Sequence, residues 1–211
     1  MDVQIWSDIV CPWCYVGKRR FESALAAFQH ADGITVTHRS FQLDPSSPRG
    51  QTADRRQMLM RKYGWSDAHA DEMDARMTHL ASIEGLDYHL DGGVTGNTLD
   101  AHQIVHLAKA HGRQDAAVER LYLAHFTERR SIFDHASLAE LAADAGLDAG
   151  EARRVLRDDV YAAAVSADVA EARRLGINGV PFFVLNGRYG VSGAQPVDAF
   201  LSALKRASEA G

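Results

Sequence analysis

Cysteine is nearly absent from this 211-residue chain, and the two present, Cys11 and Cys14, fall in one stretch, "SDIVCPWCYVGKRRF" at 7–21. Without a second cysteine pair, a four-ligand structural zinc site would have to be completed by histidines at no recognised spacing. A Cys-x-x-Cys loop closes almost no chain, so it is a poor staple for the unfolded state. No run approaches the ~20 apolar residues of a membrane span. Basic residues are not in excess: 23 Lys and Arg against 28 Asp and Glu give a net charge of −5. Broad affinity for nucleic acid or an anionic membrane is therefore not expected. The opening "MDVQIW" lacks the basic and apolar regions of a signal peptide and reads as a first strand. That reading predicts a cytoplasmic protein, where a lasting structural disulfide is disfavoured. The glycines of "DYHLDGGVTGN" fit neither the Walker nor the dinucleotide pattern, and the segment reads as a loop or poor strand. There is no internal repeat and no low-complexity linker.

What is present is a change of period around the cysteines. Val3 and Ile5 alternate with Gln4, and Trp6 follows, giving a strand. Beyond Cys14, Gly17, Phe21, Ala24, Leu25 and Phe28 form one helical stripe. Ile34, Val36 and His38 alternate with threonines as a second strand. The chain thus starts β-α-β, with the cysteines where strand gives way to helix. After Pro45, Pro48 and Gly50, nearly everything from 52 to 157 reads helical, with Met73, Met77 and Leu80 at i, i+4, i+7. Asn97 or Thr98 suits a cap, and Ser137 with Glu140 and Asp148 with Glu151 have capping-box spacing. Gly146 suits a helix end. An alanine-rich helix over 159–175 ends near Gly176. Phe182 to Leu185 is a continuous apolar run of the kind buried on both faces. Asn186-Gly187 marks a hairpin that returns through Arg188 to Val191. Pro196 opens a last helix with Val197, Phe200, Leu201 and Leu204 as its stripe. Removing the middle leaves one mixed sheet flanked by helices.

A thiol at a helix start lies where backbone N–H groups are unpaired and the helix dipole favours an anion. Both effects favour a thiolate at Cys11, making it the attacking sulfur. Cys14, one turn in, is shielded, and suits the resolving role of closing the disulfide and releasing a partner. Pro12 preorganises the helix start. Asp8 either ends the strand, which its turn preference favours, or accepts a proton. Trp13 is either a contact for partners or a ring half-packed at the sheet edge. Pro181 opens a buried strand without an N–H to give, and X-Pro propensity alone predicts a trans bond.

The strand, "CPWC", the helix and the distant "GVPFF" resemble the thioredoxin superfamily. The long helical block resembles the DsbA family. "FQLDP" at 41–45, "NTLDAH" at 97–102, "GINGVPFFVLNG" at 176–187 and "SGAQP" at 192–196 resemble its FrnE-like branch. The resemblance covers essentially the whole chain. It implies an α/β thioredoxin-like fold of β-α-β … α-β-β-α order with a mixed sheet, discontinuous over 1–45 and 158–211, and an all-helical domain inserted at 46–157. It also implies a cis Val180–Pro181 bond beside Cys11, with Val180 offering its backbone to an extended peptide or glutathione, and the helical block as a lid. Asn97, Asp100 and His102 match a recurring family stretch without an assigned chemistry. His102 and His106 stand at i, i+4 on an ordinary helix face, and no metal site is expected.

The activity expected is thiol–disulfide exchange, with Cys11, Cys14 and Pro181 catalytic and Pro12, Trp13 and Val180 binding the substrate. The partner is a disulfide or dithiol, peptide or small thiol. No resident cofactor is expected, and glutathione is a candidate co-substrate. The oligomeric state is open, a dimer included. Kappa-class glutathione transferases and 2-hydroxychromene-2-carboxylate isomerases share the fold but typically carry serine where this chain has Cys11. A glutathione-dependent enzyme of that kind is the first alternative, and a redox-sensing holdase the second. Classical DsbA proteins are exported, and the absent export signal sets this chain apart from them.

Overall fold

The computed structural model describes residues 1–209. In chain order its elements are β1 (Asp2–Ser7), α1 (Pro12–Ala26), β2 (Thr35–Ser40), β3 (Thr52–Asp54), α2 (Arg55–Tyr63), α3 (Asp67–Ile83), β4 (Val94–Gly96), α4 (Leu99–Ala110), α5 (Gln114–Phe126), α6 (His135–Asp144), α7 (Ala149–Asp158), α8 (Ala162–Arg174), β5 (Phe182–Leu185), β6 (Tyr189–Ser192) and α9 (Val197–Glu209). They divide into two compact units: Met1–Leu43 with the chain from Ala164 on, and Asp44–Ala163.

The first unit is built on a four-stranded sheet of order β2-β1-β5-β6. β1 runs parallel to β2, with Ile5 opposite His38, and antiparallel to β5, with Ile5 opposite Phe183. Strand alternation sorts the side chains. Val3, Ile5, Phe183 and Leu185 point to one face, where Phe21 and Phe28 of α1 and Phe200 and Leu204 of α9 cover them. Trp6 and Val184 point to the other, against Ala172 of α8 and Ile177. The apolar run of β5 is thus explained: its neighbours cover both faces. Phe183 and Phe200 meet edge-on with ring centres 4.6 Å apart, and Phe21 closes the trio at 5.4 and 5.7 Å. Burying each such side chain contributes about 1.5–3 kcal/mol. Asn186 and Gly187, both at positive φ (51° and 64°), are the centre of a turn closed by Arg188 N donating to Leu185 O at 3.0 Å, and the return strand starts one residue later than the sequence reading, with Leu185 opposite Tyr189.

The second unit is mostly helical, but it is not all-helical. β3 and β4 pair antiparallel as a small separate sheet, Thr52 opposite Gly96. β3 is exposed along its length and carries no alternation, so no buried face marks it. At α7, Asp148 caps as its spacing predicts, its carboxylate accepting from Glu151 N at 2.7 Å. At α6 the expectation is corrected. Asp134 is the cap, accepting from the amides of Ala136 and Ser137, while Ser137 lies inside the helix and donates to Ser131 O. The helix read over 159–175 starts later. Asp159 adopts a left-handed conformation (φ 52°) and terminates α7, and α8 opens at Ala162.

Candidate active site

The site is assembled where β1 ends. Cys11 N donates to Asp8 O at 3.1 Å, which closes the turn between strand and helix. Cys11 is then the N-cap of α1 with extended backbone (φ −90°, ψ 109°), and Pro12 is its first helical residue. Proline suits that position because its missing N–H would be unpaired there anyway. No side chain caps this helix and no acidic residue occupies its first turn, so the positive end of the dipole meets no competing carboxylate from that turn. Cys14 N donates to Cys11 O at 3.0 Å, which brings the second cysteine one turn up on the same helix.

Both cysteines are free and buried. Burial pushes the Cys14 thiol well above its ordinary value, and its hydrogen bond and charge interaction with Cys11 push the same way. A backbone hydrogen bond from Asp8 opposes this, and the Asp8 charge adds to the rise. Asp8 is itself only 1% exposed, and its carboxylate accepts from Leu43 N at 2.7 Å. Trp13 differs from its neighbours: it is 38% exposed and stands at the surface beside the two buried sulfurs.

The second arm of the site is the approach to β5. The Val180–Pro181 bond is cis. The Cys11 thiol donates to Val180 O, with Sγ 3.7 Å from that oxygen. Pro181 O accepts from Gly193 N at 2.8 Å, which ties it to the end of β6. Val180 is half-buried, and its N–H has no partner among the described residues. Cys11, Cys14, Pro12, Trp13, Val180 and Pro181 therefore all lie in the first unit, around one strand end.

The roles of two residues here escape the sequence reading. Gly17 packs against Pro181 so closely that a Cβ would stand 2.8 Å from the proline Cγ. A glycine inside a helix costs about 1 kcal/mol relative to alanine, and that cost is the signal that flags it. Lys18, on the face of α1 that carries Cys14, is 4% exposed and ion-paired with Glu22. An i, i+4 pair reads as a surface pair from sequence, which conceals the burial.

The "NTLDAH" residues belong to the second unit, where they organise structure. Asn97 donates to Ser47 O at 2.7 Å and accepts from Leu99 N at 2.9 Å. Asp100 is buried and accepts from Arg49 at 2.5 Å, Gln103 at 3.2 Å and His135 at 3.2 Å. Arg49 also bonds Asp159 through both its terminal nitrogens, at 2.9 and 2.6 Å. His102 is buried in α4, and the His106 ring stacks on Tyr161. Among the described residues, no group of three or more His, Cys, Asp or Glu is placed to hold a metal ion.

Known proteins share this fold over nearly the whole chain. The chain is 50% identical to a probable DsbA oxidoreductase of Streptomyces coelicolor, over 99% of this chain and 90% of that one, with a TM-score of 0.96. The cytosolic disulfide reductase DsbM of Pseudomonas aeruginosa shares the fold at 21% identity and a TM-score of 0.70, each chain fully covered. DsbM has also been solved with GSH. A 2-hydroxychromene-2-carboxylate isomerase shares it at 16% identity and a TM-score of 0.76, over 99% of this chain and 97% of that one. The model of the DSBA-like thioredoxin domain matches residues 2–205, nearly the whole length, and the chain belongs to that family.

Proposed function

We propose that the protein is a thiol–disulfide oxidoreductase in which Cys11 attacks and Cys14 resolves. The observation that carries this reading is the Cys11 thiol at a helix start, 3.7 Å from the carbonyl oxygen of Val180 next to Pro181. As a reductase, the Cys11 thiolate attacks a substrate disulfide R–S–S–R′. The Cys11–S–R bond forms, the substrate S–S bond breaks, and R′S⁻ leaves and takes a proton. The Cys14 thiolate then attacks the Cys11 sulfur, the Cys11–S–R bond breaks, RS⁻ leaves, and the Cys11–Cys14 disulfide carries the two electrons' worth of oxidation. Two equivalents of a glutathione-class thiol restore the dithiol and are themselves oxidised to one disulfide. The oxidase direction is the same sequence reversed.

Val180 and Pro181 form the edge to which an extended peptide or glutathione is paired, through the Val180 backbone. Trp13 and Pro12 supply the apolar flank, and the exposure of Trp13 supports its contact role. The solved DsbM–GSH complex supports a small thiol as the reductant, and the likeness to that cytosolic reductase supports action in the cytoplasm.

The test is turnover of a disulfide substrate with a dithiol donor, comparing the wild type with Cys11→Ser. The reading predicts loss of turnover in the variant. Full turnover by Cys11→Ser contradicts it.

A further inference from the structure

We infer that Gly17 and Arg20 are positioning residues that hold the Val180–Pro181 substrate edge in register with Cys11. This rests on the reading of that edge as the peptide-pairing surface.

The geometry begins with α1, which carries two things at once. Its N-cap is Cys11, and six residues on, about 9 Å along the axis, its Gly17 faces the Pro181 ring. At Gly17 a Cβ would stand 2.8 Å from Pro181 Cγ and 3.4 Å from Ala194 Cβ. Carbon pairs are at ease near 3.5–4.0 Å, so the bare backbone is what lets the proline seat against the helix at all. Three residues further on, on the same face, Arg20 donates to Ala194 O at 2.8 Å. The neighbouring Gly193, at φ 81°, donates its N–H to Pro181 O at 2.8 Å. The corner of Gly193 and Ala194 is therefore held by α1 on one side and holds Pro181 on the other. The helix that presents the sulfur also sets the height of the edge beside it, so the two cannot drift independently.

A Cβ at Gly17 displaces the edge by the better part of an ångström and leaves the Cys11 sulfur on its own helix start. Misplacement of that size in a positioning contact costs up to about 100-fold. The loss falls on substrates that pair with the Val180 backbone, and a small disulfide needing only the sulfur is spared.

The experiment compares Gly17→Ala, Arg20→Met and, as a control, Gly33→Ala, whose added Cβ meets nothing within 4 Å. Each is assayed with a peptide disulfide and with Ellman's reagent. For Gly17→Ala the expected result is a KM for the peptide raised about tenfold, with attack on Ellman's reagent within twofold of wild type. Arg20→Met is expected to shift the peptide KM about threefold, and Gly33→Ala to shift nothing. If Gly17→Ala does not fold, Arg20→Met decides by the same comparison. An unchanged peptide KM overturns the inference, and so does an equal fall with both substrates, which marks a merely structural role. A wild-type protein that turns over neither substrate overturns the functional reading instead, so the two failures are distinct.

Discussion

Cys11 and Val180 lie 169 positions apart in sequence, yet the thiol of one donates to the carbonyl of the other with Sγ 3.7 Å from the oxygen. Neither residue alone is informative: a cysteine before a helix is a reactive thiol, and a valine before a proline is a restricted backbone. Their contact brings the Cys11 sulfur to the backbone of Val180, whose N–H has no partner among the described residues, so that in the proposed mechanism one substrate segment meets both.

The resolving step should depend steeply on pH. Cys14 is held as a thiol by burial first and by Cys11 second, above its ordinary value of 9.0. Only the thiolate attacks, so in stopped-flow release of a mixed disulfide the rate should rise about tenfold per pH unit across pH 6–8. A flat profile over that range would mean that Cys14 is already ionised. The same shift bears on stability. The unfolded thiol ionises before the folded one, so above about pH 9 the unfolded state binds fewer protons and the reduced protein loses stability. Cys14→Ala should lack that loss in denaturant titrations at pH 8 and 10.

Asp8→Asn separates two roles for that carboxylate. The Asp8 charge raises Cys14, so its removal should bring the midpoint of the resolution profile down in pH. Slower resolution at every pH would instead identify Asp8 as the proton acceptor. The asparagine Oδ1 can still accept from Leu43 N, as Asp8 does now, so the turn should persist.

In the second unit, Asp100→Asn should lower stability by about 1–3 kcal/mol, because a buried carboxylate with three donors is reduced to a neutral amide. For a chain of this size that is about 2–4 °C in Tm per kcal/mol. Dithiol chemistry should be unchanged, since Asp100 is assigned a structural role.

Asp159 gives the complementary acid test. Its hydrogen bond from Arg49 holds its carboxyl below the usual range. A lowered value contributes stability that is present above the unfolded pKa, about 3.9, and is lost as pH falls through the folded one. The pair is nearly half-exposed, so Asp159→Asn should cost only about 0.2–1 kcal/mol at pH 7. Denaturant titrations at pH 7 and pH 3 should show that gap closing in acid.

Much of the first unit is written in local pattern. Val3–Ile5, the stripe through Phe21 and Phe28, and Asn186-Gly187 each carry a period or turn signal strong enough to stand alone. The parts that are not legible share a cause, since tertiary neighbours decide them. β3 is three exposed residues whose only signature is pairing with β4, some forty positions away. Asp134 and Ser137 are both good cap residues, and the bond from Ser137 to Ser131 O settles the choice. The cis bond at Val180–Pro181 runs against the propensity of X-Pro bonds, about one in twenty cis, and only the resemblance pointed to it. Arg49, Asp100 and Asp159 lie far apart in sequence with no local pattern linking them, and only α4 and the end of α7 bring them together. Of the site residues, the cysteines are plain in the sequence, whereas the significance of Gly17 depends on a ring 164 residues downstream.

The central claim is that Cys11 takes the substrate sulfur and Cys14 removes it. Mass spectrometry of Cys14→Ser after incubation with oxidised glutathione tests it most directly. The account predicts one glutathione adduct per chain, on Cys11, persisting until free thiol is added. The wild type should pass through the same adduct to an internal Cys11–Cys14 disulfide. An adduct on Cys14 in Cys11→Ser formed as readily as the one on Cys11, or no adduct on Cys11 at all, would contradict it.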